Sequence, residues 1–338
     1  MIQSESLQHM MPGDSSCHEM DCTDGRSSPS FLHSEQLTAM VQSGMRGVFK
    51  MPNSKRCVKV MDLNPETQRE CSIIELVKKK NESLTHRFRF FDLTNVHLTE
   101  TDGKKVAIIE MPLSQTGDLF DHIQRHFHDA DWSSRVMLLS SQVLTSIVRL
   151  HRIGVAHRDI KCENFLMSDA RGGRNIGTVI DFGFSVLLNE LQETVKRKEC
   201  GADGSASAVR NSGTILYCSP ELLRNCEEPL SDSKATHIAI DIWALGVVFY
   251  ALVTNALPFG VACGQRSEAF KVYSELGTPN HRIQWILHRF TEYAVHPTLS
   301  WYMAGIIAPM LDPCPHTRKI PPKVFEKLYE GHVAMQST

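Results

Sequence analysis

Eight residues near the middle of the chain carry most of its chemistry: His157-Arg158-Asp159-Ile160-Lys161-Cys162-Glu163-Asn164. They bring an acid, a base and an amide together just after an apolar helical run. Such a set can orient a proton-bearing group, balance negative charge and offer oxygen to a hard cation. Seventeen residues beyond Asn164 stands Asp181-Phe182-Gly183, at the end of the short apolar run Ile176-Gly177-Thr178-Val179-Ile180. Its carboxylate, at a strand end, is a second hard oxygen donor. Upstream, Lys59 closes Arg56-Cys57-Val58-Lys59 on a strand-like segment. A lysine flanked by apolar strand residues is costly to bury unpaired, so it needs an acid and a phosphate. Glu70 lies three and four residues before Ile73 and Ile74, which puts it on the inward face of a helix. Glu75 is the competitor, in a phase that reads as outward.

Elements that must hold these residues follow from the pattern. Residues 1–36 are rich in Ser, Met, His and Asp without apolar periodicity and read as a disordered tail. Val48–Met51 and Arg56–Met61 flank the turn signal Pro52-Asn53-Ser54-Lys55, and Gln68–Lys79 carries a helix stripe. Phe88–Phe91 and Lys105–Met111 read as strands joined through Thr101-Asp102-Gly103. After Gly117 helices dominate: Leu119–Phe127, Ser133–His151, Ile238–Val253 and Arg282–Thr291. The polar stretch from Asn189 to Ser212 is long for a loop, and long loops are usually functional or disordered. The expected fold class is therefore α+β and two-lobed. A sheet-rich small lobe spans 37–111, a helical large lobe 112–325, and a short tail 326–338.

Bulk numbers narrow the class. With 42% hydrophobic and 22% charged residues and a formal charge of −2, no basic field argues for nucleic acid or an anionic membrane surface. No membrane span is expected, and the first thirty residues lack the pattern of a secretory leader. The ten cysteines are scattered with no CxxC pair, which fits reduced thiols and an intracellular placement, cytoplasmic or nuclear.

His157–Asn164 matches the pattern H-R-D-x-x-x-x-N, and the chain resembles the Ser/Thr protein kinases from about residue 38 to 325. The resemblance implies a two-lobed kinase fold that uses ATP and Mg2+ and acts on protein substrates. It makes Asp159 the acceptor of the attacking hydroxyl's proton and Lys161 the neutraliser of the γ-phosphate, with Lys59 and Glu70 as the paired lysine and acid. Asn164 and Asp181 become the metal ligands. Gln42-Ser43-Gly44-Met45-Arg46-Gly47-Val48-Phe49 aligns with G-x-G-x-x-G-x-V, with Gln42 and Phe49 departing from it. Gly44 and Gly47 still let backbone N–H groups approach phosphates. Gly213–Glu221 resembles G-T-x-x-Y-x-A-P-E, which sets Thr214 near Asp159 and Lys161 and gives Glu221 the partner Arg318. Asp241-Ile242-Trp243-Ala244-Leu245-Gly246 matches D-x-W-x-x-G, whose acid supports the catalytic loop.

Glu110-Met111-Pro112 looks like the strand end that meets the nucleotide base, with a proline where most kinases present an N–H. That feature is similar to the Pim kinases, within the calcium/calmodulin-dependent-kinase-like group. It assigns Asp118, Asp121 and Glu163 to basic residues upstream of the target Ser or Thr. Arg158 usually faces a phosphate three residues before the position of Gly213, and that place holds Arg210; Ser205, Ser207 and Ser212 are the other candidates. A pseudokinase scaffold of the same fold is the alternative suggested by Gln42, Phe49 and Pro112.

Overall fold

The computed structural model describes residues 46–51, 54–82, 95–101, 103–168, 175–189, 214–223 and 233–336. Gln42, Gly44, the strand expected at Phe88–Phe91 and the serines of the long loop lie outside them. The chain divides into two compact units between Gln115 and Thr116. This is four residues beyond the expected boundary, because the last strand runs through Pro112 and the Leu113 N–H still reaches the Lys55 carbonyl at 2.8 Å.

The N-terminal unit is an antiparallel sheet of β1 (Gly47–Lys50), β2 (Arg56–Asp62), β3 (Val96–Thr101) and β4 (Lys104–Pro112) in the order β1-β2-β4-β3, with helix α1 (Pro65–Glu82). Phe49, Met51, Val58, Val60, Val106 and Ile108 form one apolar cluster, the inward half of the period-2 alternation. Asn64 accepts the Thr67 N–H at 2.7 Å, and Pro65 opens the helix with a preset φ. The strand paired with β4 before the turn is Val96–Thr101.

The C-terminal unit is mostly helical. Its elements are α2 (Leu119–His126), α3 (Trp132–Arg152), the short strands β5 (Val155–Ala156), β6 (Phe165–Ser168), β7 (Asn175–Val179) and β8 (Val186–Leu187), then α4 (Pro220–Leu223), α5 (Lys234–Thr254), α6 (Glu268–Glu275), α7 (Pro279–Glu292), α8 (Pro297–Met310) and α9 (Val324–Gln336). Helices α3 and α5 pack on each other, and α5 is buried along nearly its whole girth. By length and apolar content α5 could cross a membrane, but its apolar surface is covered by the protein itself, as in a core helix. The expected tail 326–338 is instead largely helix α9, packed on α3 through Val324, Leu328 and Gly331, with His332 against Ser134. Its pattern was easy to miss because Phe325 and Tyr329 face outward, which blurs the apolar stripe.

Candidate active site

Asp241 anchors the site from the middle of α5. It is fully buried; one carboxylate oxygen accepts the His157 N–H at 2.8 Å, the other the Arg158 N–H at 2.7 Å, and His151 Nε2 lies 2.7 Å away. Burial alone would raise this carboxyl, but the hydrogen bond and charge of His151, with the backbone donors, hold it below the usual carboxylate range. A buried acid on a rigid helix thus fixes the backbone just before Asp159. Arg158 takes a φ of 66°, a left-handed conformation uncommon for a side chain with a Cβ, and the two N–H bonds to Asp241 hold it there.

Asp159 is buried and held from three sides. Its Oδ1 accepts the Thr214 N–H at 3.1 Å; its Oδ2 lies 3.1 Å from Lys161 Nζ and 3.2 Å from Asn164 Nδ2. Lys161 Nζ also donates to Thr214 Oγ1 at 3.1 Å. The Asn164 amide nitrogen donates to the Asp159 carbonyl at 2.7 Å, which turns its oxygen away from Asp159. Asp181 follows directly: the Ile180 N–H donates to the Asn164 carbonyl at 3.0 Å, His157 Nε2 lies 3.1 Å from the Ile180 carbonyl, and the Phe182 ring packs on His157 at 5.3 Å. Asp181 itself has a φ of 65°, a second left-handed residue of the site. The Ser185 hydroxyl donates to the His157 carbonyl at 3.0 Å and closes the loop from the other end. Neither His151 nor Ser185 was singled out in the sequence: a lone histidine on a helix and a serine in a loop carry no spacing signal.

No three His, Cys, Asp or Glu are gathered as a metal cage among the described residues. Asn164 and Asp181 bring an amide oxygen and a carboxylate instead. So sparse a set of hard donors suits Mg2+, which keeps several waters and takes further oxygens from phosphates.

In the N-terminal unit, Lys59 Nζ meets Glu70 Oε1 at 2.9 Å; Glu70 is buried and Glu75 is exposed. Gly47 takes a φ of 127°, and Phe49 fills the apolar cluster, so any part it has in ligand binding is packing. Glu110 is paired with Arg56 and accepts from Asn95 Nδ2 at 3.1 Å.

Asp118 caps α2, accepting the Asp121 N–H at 2.9 Å. Burial pushes it up to about 6, and the nearby charges of Asp121 and Glu163 add to the rise. Burial also raises Glu163, whose Oε2 is buried without a hydrogen-bond partner among the described residues. Asp121 is more exposed and lies 3.9 Å from Arg125. Both rises come chiefly from burial, which a cation placed against the carboxyls would offset. Away from them, Arg318 grips Glu221 with two hydrogen bonds of 2.6 and 2.9 Å and lies 5.0 Å over the Trp243 ring.

Comparison with known proteins agrees with this geometry. Testis-specific serine/threonine-protein kinase 3 of Mus musculus is 32% identical over 162 residues, 48% of this chain and 50% of the relative. Ribosomal protein S6 kinase alpha-4 of Mus musculus is 28% identical over 60% of this chain and 22% of its own length, and calcium-dependent protein kinase 7 of Oryza sativa subsp. japonica 30% over 55% and 29%. The chain thus spans half or less of the length of these relatives. The protein kinase domain family matches residues 41–329, and the chain belongs to that family.

Proposed function

We propose that the protein transfers the γ-phosphoryl group of ATP to Ser or Thr hydroxyls of protein substrates. The observation that carries this reading is the clamp on Asp159, whose carboxylate is positioned by Thr214, Lys161 and Asn164 while Asp241 fixes the backbone just before it. Phosphoryl transfer asks for positioning and charge balance more than covalent help. Asp159 orients the attacking hydroxyl and takes up its proton as the new oxygen–phosphorus bond forms and the bond from the γ-phosphorus to the bridging oxygen breaks, releasing ADP. Lys161 balances charge on the transferring group, and Lys59, aligned by Glu70, holds the phosphates of the nucleotide. Asn164 and Asp181 would hold Mg2+, which supplies Lewis-acid neutralisation of the phosphate oxygens. Gly47, with Gln42 and Gly44 as the resemblance implies, would face the phosphates, and Glu110 and Met111 the base. The assembled Asp159, Lys161, Asn164 and Asp181 set favours catalysis over a scaffold role, and the reading includes an intracellular placement.

The calcium/calmodulin-dependent-kinase-like grouping and the Pim-like strand end are part of the same proposal, as is a preference for Arg or Lys upstream of the target residue. Asp118, Asp121 and Glu163 support that preference, because a guanidinium or ammonium placed among them would relieve the raised carboxyls. Incubating the protein with MgATP and a degenerate Ser/Thr/Tyr peptide library tests both parts. Phosphoserine and phosphothreonine products enriched in upstream basic residues are expected. Phosphotyrosine alone would contradict the transfer reading, and products without basic enrichment would remove the preference.

A further inference from the structure

Strand β4 ends with no backbone N–H left to offer a base. The Leu113 N–H donates to the Lys55 carbonyl at 2.8 Å, so in this antiparallel ladder the odd-numbered residues are the hydrogen-bonded partners of β2. Met111, opposite Cys57, is therefore committed in the same way. Glu110 turns the other way, and its N–H donates to the Asn95 carbonyl at 2.9 Å. Pro112 has no N–H. Strand β3 begins only at Val96, opposite Ile109, so beyond Glu110 the side of β4 away from β2 has no ladder partner among the described residues. Glu110 turns its carbonyl to that side by the same alternation, and the Pro112 oxygen lies 4.0 Å from the Cys57 thiol, a weak contact.

Resting on the kinase reading above, we infer that this acceptor-only strand end discriminates poorly between purines and that GTP serves beside ATP as phosphoryl donor. Adenine brings one donor group on its Watson–Crick edge, the N6 amine, and its N1 acceptor finds no strand N–H. Guanine brings two adjacent donors, N1–H and the N2 amine, and leaves O6 without one. Each base thus leaves a single acceptor unserved, and neither gains a decisive bond. High selectivity requires the opposite arrangement, in which the wrong base strands a buried polar group of the site.

Equilibrium binding of MgATP and MgGTP to the full chain tests the inference, measured by calorimetry or thermal shift with no transfer step. The two dissociation constants are expected to lie within about tenfold, the span of one neutral hydrogen bond. Pro112→Ala restores an N–H beside the Glu110 carbonyl, a donor–acceptor pair that fits adenine. It should tighten ATP by roughly two- to tenfold. ATP binding more than about a hundredfold tighter than GTP in the unaltered protein would overturn the inference and leave the kinase reading standing. Binding of neither nucleotide would overturn both. The comparison within the unaltered protein decides the matter even if the variant folds poorly.

Discussion

At the scale of single residues, the most informative side chains have been moved from their ordinary protonation equilibria. Burial pushes Asp118 up to about 6, against 3.8 for a free carboxyl. An acid raised in the folded state is neutral below that pH and charged above it, so ionisation is what a basic substrate would reward. The KM for a peptide with upstream arginine should therefore rise as pH falls through about 6, with kcat changing less, and Asp118→Asn should reduce the dependence. A KM that stays flat from pH 7.5 to 5.5 would take Asp118 out of substrate binding. His122 shows the converse. It is buried beside Trp132 and His126, its Nε2 has no partner among the described residues, and burial lowers it to about 4 from 6.5. The unfolded chain takes up that proton below about 6.5 and the folded chain only near 4, so this contribution to stability is full above 6.5 and shrinks as pH drops. Denaturant midpoints at pH 7 and pH 5 should differ less in His122→Gln than in the unaltered protein.

At the scale of elements, the site depends on α5, which carries Asp241 in its middle and Gly246 one and a half turns on. A Cβ at Gly246 would lie 2.8 Å from Leu311 Cδ2, 3.0 Å from its Cγ and 3.1 Å from Met310 Cβ. Gly246→Ala should thus lower stability by about 1–3 kcal/mol, against the gain of roughly 1 kcal/mol that alanine brings to an open helix. Equilibrium unfolding measures the sign, and a stabilised variant would mean that α8 is free to shift. The same elements explain which parts were legible. Helices α3 and α5 announce themselves because their apolar residues are broad and their chemical motifs adjacent. Strand β3, Val-His-Leu-Thr-Glu-Thr, does not: its Leu98 is 60% exposed, so the alternation that marks a strand is muted. Helix α9 was hidden by outward Phe325 and Tyr329, whose meaning no sequence pattern conveys.

Across the whole molecule, residues far apart in sequence gather by a few long-range bonds. Asp241 reaches back 84 residues to His157, Thr214 reaches Asp159 over 55, and Arg318 reaches Glu221 over 97. The resemblance to the protein kinases implied these partners, and each pairing gives a buried acid the donor it needs. What order could not foretell was the protonation of the acids at α2 or the spent N–H groups of β4, both of which depend on local burial and register.

The reading of the whole chain turns on Asp159. The most direct measurement is the rate of γ-phosphoryl transfer from MgATP to a Ser/Thr peptide by the full chain, beside Asp159→Asn of matched thermal stability. Transfer by the unaltered protein, falling by about a hundredfold or more in the variant with nucleotide binding retained, is the expected result. Equal rates in both, or nucleotide bound by both and transferred by neither, would contradict it.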